Sequence, residues 1–135
     1  KPRQEPWLRS EGLRGLLRCI FWRNLALVDL AERLLKELKQ RREIPASEWK
    51  RLMKKYSVTQ SNYSSCLQRL KGAGMIRRES GFYRLSNDFS NWMDESRKIW
   101  LDWRIAEMED KVNEIPRWLQ ILKELVEREA KRRGI

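Results

Sequence analysis

The chain has 135 residues, 41% of them hydrophobic and 36% charged, with a formal net charge of +11 and no histidine. This length and apolar content fit one domain with its own core and exclude a wholly disordered chain. Two cysteines, Cys19 and Cys66, exclude a disulfide framework and a metal cluster, so a reduced, cytoplasmic setting is expected.

The most apolar stretch, Leu16 to Ala31, is interrupted by Arg18, Arg23, Asn24 and Asp29. A membrane-spanning helix needs about 20 mostly uncharged residues, so none is expected here. The sequence opens on Lys, as a trimmed or partial chain would, and shows no signal-peptide pattern. The charge is unevenly placed: +5 over residues 1–43, +7 over 44–86 and −1 over 87–135. A dense block of like charge repels itself and calls for a polyanion. Nucleic acid is the expected partner; an anionic membrane surface is the alternative and is not favoured.

Residues 1–9, with two prolines, are expected to form a loose arm, and Ser10 is placed to cap a helix. Over 10–43, Leu13, Leu16, Leu17, Ile20, Phe21, Leu27, Val28, Ala31, Leu34, Leu35 and Leu38 recur at helical spacing, and Leu25 and Leu30 widen the stripe. One helix, or two joined near Asn24, is expected. The stripe is broader than one core contact needs, so part of it is expected to face a second chain.

Ile44-Pro45-Ala46 is expected to be a short extended link. A helix from Ser47 then turns Trp49, Leu52, Met53 and Tyr56 inward and Lys50, Arg51, Lys54 and Lys55 outward. Thr59 is expected to cap the next helix, which runs to about Lys71 and stops at Gly72 or Gly74. Over 75–86, two short runs flank Ser80-Gly81, a β-hairpin signal, with Arg77, Arg78 and Arg84 around its tip.

In residues 87–135, Asn87 or Asp88 is expected to cap a long helix. Its stripe is Phe89, Trp92, Met93, Ile99, Trp100, Trp103 and Ala106. Pro116 is expected in the first turn of a last helix carrying Trp118, Leu119, Ile121, Leu122, Leu125 and Val126. The tryptophans are expected to pack a core or a dimer; an effector pocket is the alternative.

The stretch "SEWKRLMKKYSVTQSNYSSCLQRLKGAGMIRRESGFYRLS" resembles the DNA-binding core of winged helix-turn-helix transcription regulators of the broad MarR/PadR/ArsR kind. The shared features are a Thr start, a polar first turn, Leu67 and Leu70, "KGAGMI" before the hairpin, and an aromatic return strand ending at Leu85. The resemblance covers residues 27–86 and supports the superfamily, not a subfamily. It implies a mainly α fold with a small β-hairpin, the winged core at 44–86 being flanked by long N- and C-terminal helices. It also implies a homodimer; pairing of those flanking helices within one chain is the alternative.

The residues support the same role independently. A helix fits the major groove of duplex DNA, and short polar side chains near its N-terminus reach base edges. Gln60, Ser61, Asn62, Ser64, Ser65 and Gln68 are the expected base contacts. Tyr63, Leu67 and Leu70 should face inward, with Cys66 near the stripe's edge. Lys50, Arg51, Lys54, Lys55, Thr59, Arg69, Arg77, Arg78 and Arg84 are the expected phosphate contacts. A solvated helix face and a charged strand edge that blocks aggregation are the plainer alternatives. No catalytic site, metal or cofactor is expected, and nothing singles out a small-molecule effector. An architectural or replication and partition role, or a protein-interaction module, would share these features.

Overall fold

The computed structural model describes residues 12–95 and 115–132. Among them are six α-helices and three short strands: α1 (Gly12–Ile20), α2 (Leu25–Arg41), β1 (Ile44–Pro45), α3 (Trp49–Tyr56), α4 (Gln60–Gly72), β2 (Ile76–Glu79), β3 (Phe82–Leu85), α5 (Asn87–Glu95) and α6 (Arg117–Arg132). The fold is mainly helical with one small antiparallel sheet. The 1–9 arm, the Ser10 cap, and Ile99, Trp100, Trp103 and Ala106 lie outside the described residues.

The N-terminal stripe forms two helices. Phe21 to Asn24 break it, with Trp22 and Arg23 at positive φ (53° and 63°), and Asn24 caps α2 by accepting the Leu27 N–H at 3.3 Å. Arg14 on α1 donates to Asp29 (3.1 Å) and Glu32 (2.7 Å) on α2, holding the two together. The stripe is used inside the chain. Its members from Leu13 to Leu38 are buried, and among the described residues only Trp22 (78%) and Leu25 (58%) are large apolar side chains left exposed. Most of its breadth is covered by α4, the sheet and α6, while Leu25, at its margin, lines a surface groove with Trp22.

The sheet has three strands rather than a lone hairpin. The link at Ile44–Pro45 pairs with β3 (Ile44 with Tyr83, Pro45 with Phe82), giving the order β1-β3-β2. Proline is tolerated because β1 is an edge strand. The β2–β3 turn is Ser80-Gly81, with both residues at positive φ (52° and 80°), as a two-residue hairpin requires. A short 3₁₀ turn over Ala46–Glu48 precedes α3, so the helix begins at Trp49, two residues after Ser47.

Other details depart from expectation. Cys66 is fully buried, not at the edge of the stripe, and burial pushes its thiol up to about 12. Asn87 is the first residue of α5, not its cap; the carbonyl of Ser86 accepts the N–H of Ser90. Pro116 lies just before α6, and its carbonyl accepts the N–H groups of Leu119 and Gln120. Trp92 packs with Phe89 and Trp118, ring centroids 5.0–5.9 Å apart.

The end of α4 is where the chain's two halves meet. Ala73 and Gly74 close the helix through bonds to the carbonyls of Arg69 and Lys71, and the Ala73 carbonyl accepts the N–H of Trp118 at 3.1 Å. Gly74 has φ +78°, and a Cβ there would lie 3.1 Å from Pro116 Cβ, whereas one at Gly72 would meet nothing within 4 Å. Left-handed backbone costs roughly 1–2 kcal/mol for a residue with a side chain. Gly74→Ala should therefore lower stability by about 1–3 kcal/mol. Gly72→Ala should leave it unchanged or raise it by a few tenths, up to about 1 kcal/mol. Thermal or urea unfolding of the two variants checks the contrast.

Candidate nucleic-acid interface

The position of α4 is set first by a carboxylate on α2. Glu37, only 9% exposed, accepts hydrogen bonds from Lys55 (2.9 Å), Tyr56 and Arg41 (2.9 Å). Burial alone would raise its pKa; the three hydrogen bonds outweigh that and hold the carboxyl at about 2. Arg41 also grips Glu48 with both nitrogens (2.8 and 2.9 Å), and Glu48 takes Arg51 at 2.7 Å. This chain of charges ties the C-terminal half of α2 to both ends of α3.

From Tyr56 the chain reverses in a tight turn. Ser57 is left-handed (φ 55°, ψ 50°), and the N–H of Val58 bonds to the Met53 carbonyl at 3.1 Å. Thr59 then caps α4, its hydroxyl accepting the Asn62 N–H at 3.1 Å. Tyr63, Cys66, Leu67 and Leu70 are buried. At 100° per residue they occupy one arc of the helix. Gln60, Ser61, Ser64, Ser65 and Gln68 occupy the opposite arc, roughly 140° wide, and all five are exposed. The helix therefore presents an uncharged row of hydroxyl and amide groups on a rigid footing. Asn62 stands apart from that row: it is half-buried and falls on the side of Arg69.

The nine expected phosphate contacts are not equivalent. Lys54 is exposed, and no side-chain partner for it is found among the described residues. Lys50 is exposed with its Nζ 5.2 Å from the Trp49 ring centroid. Lys55 is bound to Glu37 and Arg51 to Glu48. Arg69 reaches away from the row and donates to the Ile20 carbonyl at 3.1 Å. Thr59 spends its hydroxyl as an acceptor within the cap.

The three hairpin arginines separate onto two faces. Successive strand residues point to opposite sides, and the register pairs Arg77 with Arg84 and Arg78 with Tyr83. Arg78 and Tyr83 line a groove of about 500 Å³ with Gln60, Tyr63, Ser64 and Leu67 of α4. Arg77 and Arg84 line a separate cleft with Lys39, Arg42 and Ser90, and they pair with Glu79 (2.6 Å) and Glu43 (2.7 Å). Only Arg78 borders the polar row directly.

Ser47, Trp49 and Tyr83 complete that groove and were not expected as site residues. The hairpin register places Tyr83 opposite Arg78, so the sequence held that signal. Ser47, in the 3₁₀ turn, and Trp49, at the start of α3, reach the groove only because the tertiary fold sets that stretch beside α4 and β3.

Residues 11–106 match the profile of an archaeal protein family. The chain belongs to that family. The match takes in α1 through β3 and all of α5, and so includes the whole of the polar row and its groove. No curated protein and no solved structure matches the chain. No helix among the described residues is long and apolar enough to cross a membrane.

Glu37 makes stability depend on pH in one direction. Its folded value lies below the 4.5 of the free side chain, so its contribution is complete above about 4.5 and is lost as pH falls toward 2. The loss is on the order of 2–3 kcal/mol. Urea midpoints measured from pH 6 to pH 2 should fall steadily below pH 5, and Glu37→Gln should be less stable at pH 7 with a flatter profile.

Proposed function

We propose that the protein is a winged helix-turn-helix regulator that binds double-stranded DNA, with α4 in the major groove. In this proposal α2, α3 and α4 form the helical core and β2–β3 the wing. The observation that carries it is the exposed row on α4 itself. Five short donor–acceptor side chains lie on one arc of a helix whose opposite arc is locked in the core. Such a row matches what base edges offer in the major groove. Arg78 on β2 lines the groove beside it, and the exposed Lys50 and Lys54 on α3 are the further cations proposed for phosphate. Gln60, Ser61, Ser64, Ser65 and Gln68 are the proposed base readers.

An ordinary solvated helix face needs no exposed cations on the elements before and after it. A homodimer belongs to the same proposal: it would set two α4 helices about one DNA turn apart, roughly 34 Å, on a pseudo-palindrome.

Selection from a random duplex pool at fixed salt should enrich a defined sequence. Lys54→Ala should weaken binding to every duplex and reduce the slope of log affinity against log salt by about 1. Gln60→Ala, Ser64→Ala or Gln68→Ala should instead relax preference at single positions, by roughly 1–3 kcal/mol each. Absence of enrichment would point to an architectural role. Absence of any duplex binding at low salt would point to a protein-interaction module.

A further inference from the structure

The groove beside α4 has a lining for which an intact duplex has little use. Tyr63 and Leu67 form its floor, and Trp49 and Tyr83 flank it, both half-buried. Each of these two rings carries a cation: Lys50 Nζ lies 5.2 Å from the Trp49 centroid, and the Arg78 guanidinium lies 5.6 Å from that of Tyr83. Ser47, Gln60 and Ser64 add polar groups at the rim. Among the described residues no carboxylate lines the groove, and the two that adjoin its lining in sequence are held elsewhere, Glu48 by Arg41 and Arg51 and Glu79 by Arg77. Burial pushes the Tyr63 phenol up to about 12, so it stays neutral at physiological pH.

Each component fits one kind of occupant. Duplex DNA offers its protein partners base edges, sugars and phosphates; the flat faces of its bases are stacked inside. Sugar and phosphate present no planar surface to an aromatic ring. An unstacked base presents just such a surface, with hydrogen-bonding edges on its rim and phosphates on either side. The groove, about 500 Å³ and open to solvent, has room for a small planar group.

We infer that this groove takes an unstacked base of a DNA strand, so that the preferred substrate is a duplex with an unpaired or displaced nucleotide. Trp49 and Tyr83 stack on the base, Gln60 and Ser64 meet its edge, and Lys50 and Arg78 hold the flanking phosphates. The inference rests on α4 and its neighbours being the DNA-binding face. It adds that this face distinguishes an opened strand from a closed one.

The test uses the full chain and three labelled DNAs of one sequence: a blunt duplex, the same duplex with a short central bubble, and the single strand. An RNA copy of the single strand serves as a fourth probe. Binding is read by anisotropy at fixed salt. The bubbled duplex should bind roughly 5- to 100-fold more tightly than the blunt one, because stacking contributes about 1–3 kcal/mol per base. Trp49→Leu and Tyr83→Leu keep apolar bulk while removing the aromatic face. Each should abolish most of that preference and leave blunt-duplex affinity within about twofold, with circular dichroism confirming the fold.

Equal binding of blunt and bubbled DNA by the intact protein would overturn the inference while leaving the duplex proposal standing. So would a preference that survives both substitutions, or variants that weaken all DNAs equally. Tighter binding of the RNA strand than of the bubbled DNA would overturn the assignment to DNA. If no DNA binds at low salt, both the inference and the proposal beneath it fall.

Discussion

The face built on α4 depends on a carboxylate that is almost out of water. Glu37 joins α2 to the last turn of α3 through Lys55 and Tyr56, and to Glu48 at the start of α3 through Arg41. Burying a charge is costly unless it is paired and hydrogen-bonded. Here three donors from two helices meet one carboxylate, so the pairing is geometric as well as electrostatic. The turn at Ser57 starts from this fixed point, and the direction of α4 follows from the turn. At its far end α4 is held again, where Gly74 lets Pro116 and Trp118 close against it. A helix fixed at both ends and buried along one side can offer its other side as a rigid surface.

The same network decides which positive charges remain for a partner. Residues 44–86 carry a net +7, yet Arg51 and Lys55 are neutralised within the chain, and Arg77 and Arg84 face a separate cleft beside their own acidic partners. What remains is smaller and more specific: Arg78 beside the polar row, and Lys50 and Lys54 exposed on α3, two of the three set over aromatic rings. A net positive charge of this size would draw any polyanion at long range.

Much of this was legible in the sequence because it is local. The period of Tyr63, Leu67 and Leu70, the Thr59 cap and the Ser80-Gly81 turn follow from spacing and turn chemistry within a few residues. The division of Arg77 from Arg78 was equally local, since neighbouring strand residues face opposite ways; reading the hairpin as one charged tip hid it. The remaining features depend on contacts far apart in the chain. β1 exists because β3 pairs with Ile44–Pro45 some forty residues later, and Cys66 is buried because α4 packs against α2. The hub at Glu37 needs Lys55 and Tyr56 from the next helix. Only the Glu37–Arg41 spacing, four residues along one helix, was visible beforehand.

The measurement that bears most directly on the account is amide and side-chain chemical-shift mapping of the full chain titrated with a DNA duplex at fixed salt. The account predicts the largest changes at Gln60, Ser61, Ser64, Ser65 and Gln68, with Lys50, Lys54 and Arg78 at their margin and little change along α1 and α6. Changes centred on Trp22, Leu25 and α6, with the α4 row undisturbed, would contradict it.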